Sequence, residues 1–205
     1  EMRSQGLDPI VQEFIPGSGY GFCALHNEGE IRASFQHHRL REASYTGGAA
    51  SLRESVRISE LENEGLKLLQ ELKWHGPIMV EFRRDKRDNK FRLIEVNPRF
   101  WGSLNLAIQA GIEFPYLFYQ MASKGDCEPA FEYEIGVRCK NFYWELSHLH
   151  SILKRRDLQF VGSRPSILKS SISVVWSGLS ATDDYLTTDD PLPFIYALSH
   201  LHSLS

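Results

Sequence analysis

In RLIEVNPRFWGS, residues 92–103, Glu95 and Asn97 stand two apart in a stretch otherwise patterned as a strand, with Leu93, Ile94 and Val96 around them and Pro98 breaking the run. Strand side chains alternate between faces, so the carboxylate and the amide share one face while Ile94 and Val96 share the other. A polar turn, DKRDNK at 85–90, separates this strand from an earlier one, IMVEFRR at 78–84. Folded as an antiparallel hairpin centred near Asp88, the two strands place Glu81 opposite Glu95. Facing carboxylates repel, and apolar neighbours (Met79, Val80, Phe82, Ile94) raise their pKa values further by desolvation. A hard divalent cation resolves both problems, because Mg²⁺ takes oxygen ligands, commonly one or two carboxylates completed by water and substrate phosphates. Asn97 offers a further amide oxygen, and Arg99, past the turn at Pro98, a guanidinium for phosphate oxygens. With no His or Cys nearby, the donor set is unlike that of zinc. Charges on an exposed edge strand explain any one of these residues as well, but explain the group less well.

The elements that must hold these residues are legible in part. PIVQEFIPG, residues 9–17, has a β-favouring centre closed by Pro16-Gly17, and YGFCALHNEGEIRASFQ, residues 20–36, reads as two strands joined at Asn27-Glu28-Gly29. From Ile58 to Trp74, Ile58, Leu61, Leu68, Leu69 and Leu72 recur at helical spacing, with Ser55 or Ser59 as the cap and His75-Gly76-Pro77 as the stop. A short helix around Leu104, Ala107 and Ile108, ended by Gly111, and another carrying Pro115 in its first turn follow. EIGVRCKNFYWELSHLHSILKRR reads as a strand running into a helix, and TTDDPLPFIYALSHL as a capped final helix. The charges of the 85–88 turn read as a solvated loop rather than a phosphate site.

Composition narrows the classes. The chain has 205 residues, 42% hydrophobic and 24% charged, with net charge −3, enough for one sizeable core or two smaller ones. Neither nucleic acid nor an anionic membrane is an expected partner, since both call for a basic patch. Without a membrane-length apolar run or a signal peptide, the expected setting is the cytoplasm. Cys23, Cys127 and Cys139 are widely spaced and odd in number, as reduced buried thiols would be. LSHLHS occurs twice, but His148/His150 and His200/His202 lie two apart on expected helices, so neither pair can chelate one ion, and helix-surface histidines are the plainer reading. The glycines of GSGYG continue into strand rather than helix, which argues against a dinucleotide fingerprint. The opening EMRSQGLDPIVQEF reads like a piece of something longer.

Three segments, VQEFIPGSGYGFCAL, MVEF and IEVNPRFWGS, in that order and separated by an amphipathic helix, resemble the C-terminal half of the ATP-grasp fold. The likeness is particularly to carboxylate-amine ligases similar to a carbamoyl phosphate synthetase large subunit. It spans roughly residues 8–125. The resemblance implies an α+β fold, an antiparallel sheet backed by helices, with residues 1–125 as the C-terminal ATP-grasp subdomain and 126–205 as an extension. It further implies that Glu81, Glu95 and Asn97 bind Mg²⁺, with Mn²⁺ as a substitute, bridging ATP phosphates, and that Arg99 stabilises the γ-phosphate or an acyl phosphate. Glu13, Phe14 and Ile15 resemble the hinge that meets adenine through backbone groups. HHRLREASYTGGAAS, residues 37–51, resembles a loop between metal and acceptor, where Arg41 holds a carboxylate or phosphate and Gly47-Gly48 allow close backbone approach.

Two departures stand out. Ser18, Gly19, Tyr20 and Gly21 occupy the place where the family often has an acid for ribose, and the N-terminal half of the ATP clamp is absent from this sequence, to be supplied by the same protein or a partner chain. The expected activity is ATP-dependent joining of a small carboxylate to an amine or other nucleophile. The alternatives are a non-catalytic nucleotide- or metal-binding module and a purely structural interaction domain.

Overall fold

A computed structural model describes residues 11–154, 164–186 and 189–199. The fold is α+β, a seven-stranded sheet in the order β5-β4-β1-β2-β3-β6-β7 with helices against it. The strands are β1 Gly17–Asn27, β2 Glu30–Ser44, β3 Gly47–Ser55, β4 Gly76–Asp85, β5 Phe91–Asn97, β6 Arg138–Lys140 and β7 Thr182–Asp183. The helices are α1 Ser59–Leu72, α2 Leu104–Gln109, α3 Phe114–Lys124, α4 Phe142–Lys154, α5 Ile167–Ser180 and α6 Leu192–Ser199. Every named pairing is antiparallel except β6 with β7, which is parallel. Residues beyond 125 therefore extend the sheet itself.

The β1–β2 hairpin closes through Glu28 and Gly29, both at positive φ (49° and 90°), with Asn27 paired to Glu30. Two such residues give a turn whose twist matches that of the flanking strands. Its consequence is a central pair long enough to carry two different faces. On the first face Tyr20, Phe22 and Ala24 of β1 and Ile78, Val80 and Phe82 of β4 pack with Leu61 and Leu69 of α1. Gly65 gives α1 its close approach, because a Cβ there would lie well inside contact distance of the Phe22 ring. On the second face Cys23, Leu25, Phe35 and Met79 pack with Trp101 and with Leu106, Ala107, Phe114 and Met121 of α2 and α3.

Several local expectations are corrected. Residues 11–16 form no strand; they lie against the β4–β5 turn, where the Lys86 N–H donates to the Pro16 carbonyl at 2.8 Å. Neither Ser55 nor Ser59 caps α1: Ser55 is buried in β3, and the N-cap is Ile58, whose N–H is met by Gln36 Oε1 at 2.8 Å. Leu72 is exposed at the helix end. Asp85 is buried rather than solvated, and Arg87 holds its carboxyl down at about 2 by side-chain and backbone hydrogen bonds. The 37–51 segment is the β2–β3 hairpin, not a loop.

His148 is also buried, its Nδ1–H donating to the Glu42 carbonyl at 2.8 Å, so it is no surface histidine. His200 and His202 lie outside the described residues. Cys23, Cys127 and Cys139 are free and buried, burial pushing the Cys139 thiol up to about 12. No helix among the described residues is long and apolar enough to cross a membrane.

Candidate active site

The expected pairing is present, with Glu81 opposite Glu95 and Met79 opposite Asn97. One irregularity intervenes. Phe82 pairs with Leu93, so Ile94 is an extra residue, a bulge beside Glu95. Bulges re-aim neighbouring side chains and are frequent at sheet edges and next to sites. Here the bulge lies on edge strand β5, turning Ile94 and Glu95 alike toward one cavity, while Leu93, opposite Phe82, is half exposed.

That cavity, about 480 Å³, is lined by Glu81, Glu95, Asn97 and Arg99, by Arg39, Glu42 and Arg83, and by His37, Ser103, Gly48–Ala50 and Trp144. Asn97 Nδ2 donates to Glu95 Oε1 at 2.6 Å, and Arg99 Nη2 to Asn97 Oδ1 at 3.3 Å. Glu81 is half-buried. Burial raises its carboxyl above the ordinary range, Arg39 pulls it back down, and the like charge of Glu95 raises it again. Two opposed carboxylates and an amide oxygen, partly desolvated, fit a hard divalent cation whose remaining ligands are water and phosphate. No group of three or more His, Cys, Asp or Glu side chains among the described residues is arranged to hold a metal ion without other ligands.

The central wall depends on two glycines. Gly19 and Gly21 of β1 lie between β4 and β2, paired with Arg83 and Glu81 on one side, and Gly21 with His37 on the other. A Cβ at Gly19 would stand 2.9 Å from Arg39 Cδ, and one at Gly21 would overlap the His37 ring. The missing side chains thus let two residues of β2 lie across β1. Arg39 crosses to pair with Glu81 and stands 4.0 Å from Glu42. His37 is held between Cys23 Sγ at 3.8 Å and Ser103 Oγ at 3.3 Å, and burial, then the charges of Arg39 and Arg53, push its pKa well down, keeping it neutral. Arg83 donates through Nη2 to both Glu42 oxygens, at 3.1 and 3.3 Å, and through Nη1 to the carbonyls of Ile15 and Gly17, each at 3.3 Å.

The other sequence-derived candidates lie elsewhere. Arg41 does not line this cavity; it pairs with buried Glu145 of α4 and hydrogen-bonds Ser173 and Ser177 of α5. The β2–β3 register breaks three times between Arg39 and Ser44, so simple alternation does not carry Arg41 to the face of Arg39. Arg41 instead lines a second cavity, about 320 Å³, that shares Arg39, Glu42 and Arg83 with the first. Glu13 and Phe14 are exposed, Glu13 bonded to Arg87 at 2.6 Å, and Ile15 is buried; none of the three lines either cavity. Gly48 does line the first. His37, Arg39, Glu42, Arg83 and Trp144 were not identified from sequence. Arg83 alone had a plain signal, being two residues from Glu81 on the same strand face.

Solved structures share this fold. The chain overlays a biotin carboxylase from Campylobacter jejuni with a TM-score of 0.51 at 16% identity, over 62% of this chain and 30% of that one. An N5-carboxyaminoimidazole synthetase from Staphylococcus aureus, complexed with ADP, gives a TM-score of 0.48 at 18% identity, over 60% and 33% of the two chains. The chain thus spans about a third of the length of either protein. No curated protein matches it in sequence. Residues 7–142 do match one family over most of the chain. By that match, with the strand order and cavity already described, the chain belongs to the ATP-grasp family described as acting in the biosynthetic pathway with the Ter operon.

Proposed function

We propose that this chain carries the metal- and phosphate-binding half of an ATP-dependent ligase that joins a small carboxylate to an amine or other nucleophile. The observation that carries the reading is the Glu81–Glu95 pair, opposed in register on a cavity wall shared with Asn97 and Arg99. Residues 1–125 are read as the C-terminal subdomain of the fold, with 126–205 as an extension and the rest of the ATP clamp supplied by the same protein or a partner. The cytoplasm, where ATP is abundant, is the setting this reading implies.

Glu81, Glu95 and Asn97 would hold Mg²⁺, or Mn²⁺ in its place. When bound, the cation neutralises phosphate charge that would otherwise repel an incoming carboxylate. Arg99 aligns the γ-phosphate, and Arg39 and Arg83 add positive charge along the same wall. Attack by the substrate carboxylate on the γ-phosphorus would release ADP and leave an acyl phosphate; the nucleophile then displaces inorganic phosphate. The wall of Gly48–Ala50, Ser103 and Trp144 leaves room for the acceptor. Glu13–Ile15 would meet adenine through backbone groups, and Arg41, from the second cavity, would act on substrate only after leaving Glu145.

The full reading frame, given MgATP and panels of carboxylic acids and amines, should release ADP only when both substrates are present, and labelled carboxylate oxygen should appear in phosphate. Glu95→Gln should lower that rate by roughly 100-fold or more. A second reading is a nucleotide- or metal-binding module without turnover. Metal and ADP binding with no ADP release from ATP on any substrate pair would establish it. Unchanged ligand binding in Glu95→Gln would remove both.

A further inference from the structure

We propose that Arg39 is an internal counter-ion: it occupies the cation's place at Glu81 and yields that place when the cation arrives carrying phosphates. The inference rests on the magnesium reading above and adds a residue and an order of events to it.

The path of the side chain is the first ground. Arg39 belongs to β2, Glu81 to β4, and β1 lies between them. Only because Gly19 lacks a side chain can Arg39 pass over β1, a Cβ there standing 2.9 Å from its Cδ. Its guanidinium then ends on Glu81, one of the two acids whose mutual repulsion calls for a cation.

How loosely Arg39 is held is the second ground. Arg83 is anchored by two backbone carbonyls besides Glu42, and Arg53 by the Ala50 carbonyl besides Asp184. Arg39 is held by carboxylates alone, Glu81 and more distantly Glu42. It can leave Glu81 without breaking a backbone contact, provided another anion receives it.

Charge then sets the order. The cavity's charged lining is Arg39, Arg83 and Arg99 against Glu42, Glu81 and Glu95, a neutral set. A bare divalent ion at Glu81 must displace Arg39 into a half-buried wall whose nearest other carboxylate, Glu42, already accepts from Arg83 through both oxygens, which is costly for a charged group. An ion carrying a polyphosphate brings the acceptor with it, because guanidinium–phosphate pairing replaces the lost carboxylate bond. Arg39 thus disfavours the bare metal and favours the metal–phosphate complex.

Mn²⁺ binding, followed by electron paramagnetic resonance with the ion alone and with inorganic tripolyphosphate, tests this in the whole protein. Arg39→Gln should bind bare Mn²⁺ about tenfold more tightly than wild type, the competing cation having gone, and should lose most of the gain that tripolyphosphate gives wild type. Arg39→Lys should stay near wild type. In thermal unfolding, Arg39→Gln should be weaker than wild type without metal and regain the difference in Mn²⁺. A fixed structural arginine predicts otherwise: Mn²⁺ affinity unchanged or weakened, and stability lost with and without metal. Should Arg39→Gln not fold, the arginine Nε–Hε resonances of wild type decide, since Mg²⁺ with tripolyphosphate must move the Arg39 signal and a fixed Arg39 would not respond. Failure of the underlying reading looks different, with wild type and Glu95→Gln binding Mn²⁺ equally or not at all.

Discussion

The two faces of β1 and β4 are built from alternate residues of the same strands, yet they part company toward one end of the sheet. On one, Tyr20, Phe22, Val80 and Phe82 meet α1 in a packed layer; on the other, Cys23 and Met79 are packed, but Gly19 and Gly21 lie beside Glu81 and Arg83, which border a cavity. Each face uses a glycine, to opposite ends. Gly65 removes a side chain so that a helix can press on Phe22, and Gly21 removes one so that His37 can lie over a strand. The first absence serves packing, and the second lets charged and polar groups from separate strands converge. Stability and site chemistry are therefore separable by face.

Alanine at each glycine should separate them. The larger stability effect belongs to Gly65→Ala. Its new methyl would meet the Phe22 ring, fully buried between helix and sheet, so α1 must move outward. Alanine recovers up to about 1 kcal/mol of helix propensity, but overpacking a tight core costs about 1–3 kcal/mol. A net loss of about 1 kcal/mol, or roughly 2–4 °C in Tm, should follow, with Mn²⁺ affinity unchanged. Thermal unfolding and the metal titration, run together, check both halves.

Gly21→Ala should do the reverse in emphasis. The His37 ring it strikes borders open cavity, so the ring can swing away and the stability loss should stay below that of Gly65→Ala. The displaced imidazole must then leave Cys23 and Ser103 and enter the space beside Arg39 and Glu81. Polyphosphate binding should fall about tenfold through that obstruction. Equal losses of stability and no difference in binding between the two variants would mean that the faces are not separable after all.

Which parts of the site the sequence displays follows from the range of the pairing. Glu81 and Glu95 meet across a short turn, so counting outward from Asp88 aligns them to within the one residue that the Ile94 bulge supplies. Alpha-helix α1 declares itself by period, since Leu61 and Leu69 recur within one element. Arg39, His37 and Arg83 converge only after β2, β1 and β4 are laid side by side, and no local period encodes that order. In HHRLRE the charges fall on both faces and the bulges after Arg39 erase the alternation, so a strand looks like a loop. The same effect hid the place of Leu93, which an even alternation puts on the face of Glu95 and Asn97 and the Ile94 bulge sets opposite Phe82, half exposed. Trp144 was hidden by distance: its helix follows the last site motif by some forty residues and returns to the cavity only through β6 and the sheet.

The smallest expected effect concerns protons at the cavity face. His37 is buried in the cavity wall, with Cys23 of β1 and Ser103 at its ring nitrogens and Arg39, Arg53 and His38 as the nearby charges. Burial and those cations depress its pKa below the ordinary value of about 6.5. As pH falls through that value the unfolded chain takes up a proton that the folded chain refuses, so the folded state loses ground. The stability that His37 contributes is thus fully present above about pH 6.5 and declines below it. His26, His38 and His148 are depressed by burial too and act in the same direction. His37→Gln should therefore leave a shallower decline between pH 7.5 and 5.5 in urea unfolding, not a flat one. The gap between variant and wild type should narrow as the medium becomes more acidic. Parallel curves would mean that the imidazole takes up its proton as readily in the folded protein as in the unfolded chain, and the neutral character assigned to that end of the cavity would be wrong.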